Sequence, residues 1–249
     1  IEQCRKLGFD GTIYPVHPKA ETMAGLPAYK ALSDLPETPD ATFIGVNRQL
    51  TIQIVRQLSD MGAGGAVCFA SGFAEASAEI EGSDDLQAQL LEAAGEMPIL
   101  GPNCYGFINL LDKACLWPDQ HGAVACDSGV ALLTQSSNIA INLTMQTRGL
   151  PIAYVITAGN QAQVSLPQLA LEVIEDPRVT ALGLHIEGFF NLADWQALAL
   201  RSQELDKPII ALKVGASEQA QAATVSHTAS LAGSDVGATA LMQRLGMAR

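Results

Sequence analysis

An α/β protein built from two doubly wound parallel-sheet domains is the fold class this sequence predicts, and three observations predict it. Short apolar runs alternate along the whole chain with segments that carry apolar residues at helical spacing. The runs are continuously apolar rather than alternating, as strands covered on both faces require. Hydrophobic residues make up 48% of the 249 positions but aromatics only 5%, so the core must be built from Ala, Val, Leu and Ile.

The elements follow in order. Thr12–Val16, Ala41–Val46, Gly65–Ala70 and Pro98–Leu100 read as strands of a first sheet, with helical patterns at Leu50–Met61 and Asp84–Glu96. Val130–Thr134, Ile152–Ile156, Ala181–Ile186 and Pro208–Lys213 read as strands of a second sheet. Helical segments at Ile139–Arg148, Pro167–Glu175 and Asp194–Leu205 separate them. The break falls near Leu116–Ser128, which holds Pro118, His121, Gly122 and Asp127. Charge shifts there too: residues 1–125 carry a net −9 and residues 126–249 a net −3. Two domains, 1–125 and 126–249, are therefore expected. The stretch from Gln57 to Asp112 has no basic residue and reads as a solvated acidic face.

A net charge of −12 argues against nucleic acid, which needs a basic footprint. It leaves room for an anionic small ligand held by backbone amides and a few donors. The five cysteines are odd in number and contain no C-x-x-C pair, so a reducing cytoplasm is expected rather than a disulfide framework. No apolar run approaches the about 20 residues of a membrane span, and no signal peptide is visible. The chain opens at Ile1 without Met and closes where a helical pattern is finishing. A piece of a longer chain is expected.

Ligands of doubly wound sheets bind outside the carboxyl ends of strands. The loops at those places are small, polar or glycine-bearing: Ser71-Gly72-Phe73, Gly101-Pro102-Asn103-Cys104-Tyr105-Gly106, Gln135-Ser136-Ser137-Asn138, Thr157-Ala158-Gly159-Asn160, Glu187-Gly188 and Val214-Gly215. Close approach of backbone to a ligand asks for such residues. His227 sits among small hydroxyl residues in Val225-Ser226-His227-Thr228-Ala229-Ser230, where a new helical pattern opens. A helix start presents free N–H groups and a positive dipole end to an anion. Neutral imidazole is nucleophilic near pH 7 and can carry a phosphoryl group. Taken alone, the position also suits a capping or core histidine. A nucleophilic imidazole needs an acceptor on its other nitrogen, and Glu187, at the end of a neighbouring strand, is the natural one. Amides near Thr228 and the loops at Gln135–Asn138 and Gly159–Asn160 would receive the phosphate, with Ser136, Ser137 and Asn160 as side-chain donors. Turn capping is the plainer role for those three.

These loops, together with Gly8-Phe9-Asp10-Gly11, Tyr14-Pro15-Val16-His17-Pro18-Lys19, Ser71-Gly72-Phe73-Ala74-Glu75 and Lys213-Val214-Gly215, resemble in content and order the nucleoside-diphosphate-forming acyl-CoA synthetases. The resemblance extends more distantly to the α subunit of succinyl-CoA synthetase. Gly-Pro-Asn-Cys and Ser-His-Thr in combination are its most specific pieces. It implies a Rossmann-like CoA-binding domain followed by a flavodoxin-like ligase domain. It further implies the reaction acyl-CoA + ADP + phosphate ⇌ acid + CoA + ATP, through an acyl phosphate and a phosphohistidine at His227.

Lys19, Ser71, Gly72 and Asn103 are the implied CoA contacts; an exposed lysine such as Lys19 is usually just solvated, and Asn103 could equally bridge its own loop's backbone. The implied partners are a small carboxylic acid or acyl-CoA and an ATP-grasp domain or subunit that brings ATP or ADP with Mg2+; an oligomer is expected. The family's opening strand with its glycine-rich loop would precede Ile1. Three departures stand out: Ser137 where the family often has Gly, His17 for a common Asn and Asn47 for a common Pro. Cys104 reads as a buried small hydrophobe, and His121 and His185 as structural. No metal-ligand spacing is visible, so no protein-bound zinc is expected. The rival reading is an acyl-CoA-sensing module of a protein acetyltransferase, which would need neither His227 nor Glu187. A nicotinamide-binding domain is disfavoured because no G-x-G-x-x-G follows a strand.

Overall fold

The computed structural model describes residues 1–76, 83–214 and 235–249. His227 and Thr228, and the Val214-Gly215 turn beyond Val214, lie outside these residues. Two parallel sheets organise the chain, each flanked by helices.

The first sheet is small. Strands β3 (Thr42–Ile44), β4 (Ala66–Cys68) and β5 (Ile99–Leu100) lie side by side in that order, all parallel. Helix α2 (Arg48–Asp60) connects the first two and α3 (Ser83–Ala94) the last two. Asn47 starts α2 by accepting a hydrogen bond from the Leu50 amide at 3.0 Å, which satisfies one of the unpaired N–H groups of the first turn. Ile52, Val55 and Leu58 recur at helical spacing and bury against Ile44, Cys68, Phe73 and Leu90. Burying each such side chain contributes roughly 1.5–3 kcal/mol. The helix stops at Gly62, which takes φ 74°, a value that glycine adopts without steric cost.

Ahead of this sheet the chain departs from expectation. Thr12–Val16 is not a strand of the first sheet: it makes one bridge, Val16 with Tyr29, and joins no sheet. Pro15 and Pro18 remove two amide donors that a ladder would need. The segment bonds locally instead, His17 N to Tyr29 O at 2.8 Å and Tyr29 N to Pro15 O at 2.9 Å. A two-residue hairpin, β1 (Thr22–Met23) with β2 (Leu26–Pro27), completes this lobe.

The second sheet has six strands. β8 (Gly129–Thr134), β9 (Ile152–Thr157), β10 (Val179–Ile186) and β11 (Ile209–Lys213) run parallel in the order β11-β10-β8-β9. A hairpin of β6 (Phe107–Asn109) and β7 (Ala114–Leu116) extends the sheet antiparallel beside β9. This hairpin precedes the Leu116–Ser128 break, so the second sheet draws on residues from before it. Helix α1 (Glu2–Leu7) crosses over as well: Cys4 packs with Ile108, Cys115 and Trp117 on the same face as α4 (Ser137–Thr144). On the opposite face α5 (Leu166–Ile174), α6 (Leu192–Glu204) and α7 (Asp235–Arg244) cover Leu133, Leu182, Leu184 and Ile186. Ser165 and Gln168 form a reciprocal cap at the start of α5. Among the described residues no helix is long and apolar enough to cross a membrane.

Strand order reverses at β8, whose neighbours are β9 on one side and β10 on the other. A crevice opens outside the carboxyl ends of strands at such a reversal. The carboxyl ends of the small sheet point to the same place, and that convergence positions the site.

Candidate functional site

A cleft of about 730 Å³ lies where the carboxyl ends of the two sheets meet. From the small sheet come Gly45–Gln49 after β3, Phe69–Ser71 after β4 and Asn103–Tyr105 after β5. From the large sheet come Gln135–Asn138 after β8, Gly159 after β9 and Glu187 after β10. Six strand ends thus line one space. Of the residues picked out from sequence, Ser71, Asn103, Ser136, Ser137, Gly159 and Glu187 share this lining. Gly72 and Asn160 stand directly behind it. Lys19 is exposed and lies outside it, its amide donating to the His17 imidazole at 3.2 Å.

Hydrogen bonds between the loops fix the shape of the cleft. Glu75 accepts from the Gly72 amide at 2.5 Å and the Phe73 amide at 3.2 Å, and also from the Asn160 side-chain amide. The Asn103 side chain donates to the Asn160 side-chain oxygen at 3.4 Å. A carboxylate of the small-sheet half therefore holds a loop of the large-sheet half. Gly159, at φ 55°, lets that loop approach: a Cβ there would overlap the carbonyl oxygens of Pro102 and Asn103. Asn160 N donates to Pro102 O at 2.9 Å and Ala162 N to Gly101 O at 3.0 Å.

The floor of the large-sheet side rests on Gln135. Its buried side-chain oxygen accepts from the backbone amides of Glu187 and, at 3.1 Å, of Gly188. That pins the turn after β10 and keeps the Glu187 carboxylate buried at the cleft wall. Ser136 precedes α4 but makes no side-chain capping bond. Ser137 accepts from the Tyr105 amide at 3.1 Å, which leaves its hydroxyl proton for donation. The serine that stands where the family often has glycine thus ties the two halves together and faces the cleft.

The opposite wall holds Asn47 and Arg48, at the first turn of α2, with Phe69 and Tyr105. These two rings sit 5.6 Å apart in a run that continues from Phe43 to Trp117. The Arg48 Nε is buried without a hydrogen-bond partner among the described residues. Arg48, Glu75, Phe69 and Tyr105 were not picked out from sequence as site residues. Glu75 follows Ser71-Gly72-Phe73 at a spacing that allows a carboxylate to turn back on those amides, a signal that was present. Arg48 gives no local signal, because its place in the cleft depends on tertiary contacts.

Buried titratable groups near the cleft and elsewhere in the chain are shifted. Cys104 lies behind the lining, and burial pushes its thiol far up, with Cys68 beside it raised to about 12. Neither is a thiolate at neutral pH, which fits the small-hydrophobe role. Burial, reinforced by Lys213, lowers the pKa of His185, and burial with Lys6 lowers that of His121. Both imidazoles are neutral and enclosed. Burial also lowers the pKa of Lys213, whose ammonium donates to the Val214 carbonyl. Among the described residues no group of three His, Cys, Asp or Glu side chains is placed to hold a metal ion.

Comparison with known proteins gives this arrangement a class. Residues 1–109 match a CoA binding domain, and residues 127–249 match a succinyl-CoA ligase-like flavodoxin domain. A trans-feruloyl-CoA synthase of an unknown prokaryotic organism is 30% identical over 230 residues, covering 90% of this chain and 32% of that protein. The α subunit of acetate–CoA ligase (ADP-forming) II from Pyrococcus furiosus is 29% identical over 245 residues, covering 92% of this chain and 52% of the subunit. The apo structure of dinucleotide-forming acetyl-coenzyme A synthetase 1 from Ca. Korarchaeum cryptofilum superposes with a TM-score of 0.86 at 26% identity. That match covers 99% of this chain and 53% of the other. The fold and the facing strand ends therefore define a CoA-binding unit joined to a flavodoxin-like ligase unit. The chain belongs to the family of ADP-forming acyl-CoA synthetases, related to the succinyl-CoA synthetase α subunit. It spans between about a third and a half of the length of these relatives. The acyl-CoA-sensing alternative finds no support among them.

Proposed function

We propose that this chain is the CoA-binding and phosphoryl-transfer portion of an acid–CoA ligase (ADP-forming), with His227 as phosphoryl carrier and Glu187 as the group that orients it. One observation carries the reading: six strand ends from two sheets line a single cleft, and the first turns of α2 and α4 both open into it. Helix starts of this kind supply N–H donors and positive potential to phosphate oxygens.

The residues present fit CoA and phosphate. The cleft is rich in N–H and O–H donors from Asn47, Arg48, Ser71, Asn103, Ser136 and Ser137, and its wall includes a guanidinium nitrogen that has no partner among the described residues. Magnesium and ADP or ATP belong with an ATP-grasp partner.

The chemistry divides into three balanced steps. Phosphate oxygen attacks the acyl carbon of acyl-CoA; the C–S bond breaks and CoA leaves as thiolate, giving an acyl phosphate. The His227 imidazole then attacks phosphorus, and the acid leaves as carboxylate. Phosphohistidine finally passes its phosphoryl group to ADP. Glu187 accepts the N–H of the other imidazole nitrogen and stabilises the cation that forms. Donors preorganised by Gln135, Ser136 and Ser137 meet the charge on phosphate; removing one such donor typically costs about 100- to 1,000-fold in rate. The donors need no rearrangement at the moment of transfer, because Gln135 and Tyr105 already hold their loops.

Full-length protein incubated with γ-phosphate-labelled ATP and magnesium tests the reading. Acid-labile, base-stable label on the parent and none on His227→Ala is the expected result. Label that persists in the variant moves the carrier elsewhere. Glu187→Gln is expected to slow labelling while leaving the thermal unfolding midpoint in place.

A further inference from the structure

Arg48 stands out among the arginines. Arg5, Arg56, Arg178, Arg201 and Arg249 each have a carbonyl or carboxylate partner, and Arg148 and Arg244 are exposed. Arg48 is half-buried, its side chain makes no hydrogen bond or ion pair among the described residues, and its Nε is enclosed away from water. In a chain of net charge −12 a carboxylate for it is easy to supply, yet Glu75, on the loop that packs against it, accepts from the Gly72 and Phe73 amides instead. Among the described residues the only carboxylate in the lining is Glu187, contributed by the other sheet.

The guanidinium is also built into place. Gly72 adopts φ 91°, and any side chain there would overlap the Arg48 guanidinium. The loop after β4 therefore closes directly onto it. Asn47, Gln49 and Ser71 line the same cleft and bring further side-chain donors to it. A planar, permanently charged fork of N–H groups that packs against the Gly72 backbone and has no partner among the described residues is complementary to an oxyanion with several oxygens.

We propose that Arg48 is a phosphate-binding residue of the cleft that determines which phosphate group the site accepts. For its ligand the assignment rests on the ligase reading. The phosphate is either free in the transfer site, as inorganic or acyl phosphate, or part of CoA. Arg48 holds it through paired N–H donors, and Gly72 is the positioning residue that leaves the fork its room.

Equilibrium dialysis of the full-length protein separates the sources. Parent, Arg48→Gln and Arg48→Lys are each titrated with inorganic phosphate, with CoA and with pantetheine, which lacks phosphate. Loss of inorganic phosphate affinity in Arg48→Gln by about tenfold or more, with Arg48→Lys intermediate, supports a transfer-site phosphate. The same loss for CoA, with pantetheine unchanged, supports a CoA phosphate. Equal affinities in parent and Arg48→Gln for both ligands overturn the proposal. So does a parallel loss for pantetheine, or a parent that takes up neither phosphate nor CoA. Binding does not require phosphoryl transfer. A parent that binds phosphate through Arg48 but acquires no label on His227 defeats the ligase reading and leaves this one standing.

Discussion

The two halves of the molecule solve the same problem with different amounts of structure. The small sheet has three strands of two or three residues, and much of its half is loop. The large sheet has four parallel strands of five to eight residues plus a hairpin. Yet both deliver three loops to the cleft. The small half compensates by leaning on the large one. Its loops are tied by Glu75 to Asn160, by Asn103 to Asn160 and by the Tyr105 amide to Ser137. A short sheet is enough when its strand ends are fastened to a deep one.

Breaking that dependence should have its largest effect at the hairpin. Ile108 is fully buried between β7 and β9, although it lies within the stretch that matches the CoA binding domain. Ile108→Ala is expected to cost about 2–5 kcal/mol. Backbone hydrogen exchange should show the lost protection in β9, in the large half. Loss confined to β3–β5 would reverse the comparison.

Gly72→Ala comes next. A residue with a Cβ at φ 91° is strained by roughly 1–3 kcal/mol, and here it also meets Arg48. Thermal unfolding should fall, and phosphate affinity should fall further than stability alone explains. Gln135→Ala probes the other wall. It removes the acceptor that the Glu187 and Gly188 amides share, at about 1–3 kcal/mol. The expected readout is slower His227 labelling with CoA affinity unchanged, which would assign the two walls different tasks.

The smallest effect concerns pH. Arg178 pairs with Asp176 and Asp112 and holds both carboxyls below the ordinary carboxylate range, Asp176 the more strongly. Their folded pKa values are depressed, so the stability they contribute is full above about pH 4, the unfolded carboxylate range. It is lost as pH falls through the folded values. The stability gap between parent and Asp176→Asn should stay constant above about pH 4 and narrow only below it. A gap that persists unchanged at lower pH would mean that the pair does not titrate as described.

Much of this architecture was legible because it is periodic. The four parallel strands of the large sheet lie within one or two residues of their apolar runs, and so do β3, β4 and β5. Apolar continuity is itself the cause of burial on both faces. Thr12–Val16 misled because it is apolar without being able to pair: Pro15 within the run and Pro18 just after it withhold donors that composition does not register. The Phe107–Leu116 hairpin was missed because three-residue strands carry too short a pattern to separate from a loop. Loop residues such as Ser71, Asn103 and Ser136 were legible through the rule about carboxyl strand ends. Arg48 was not, since a first-turn arginine reads the same whether it faces water or a ligand.

The tight seam at Gly159 carries a practical consequence. Because that glycine sits against the carbonyls of Pro102 and Asn103, the two units cannot be recombined freely between relatives. Chimaeras that graft a foreign ligase unit will fold only when the 101–104 turn and the 158–160 turn travel together from one parent.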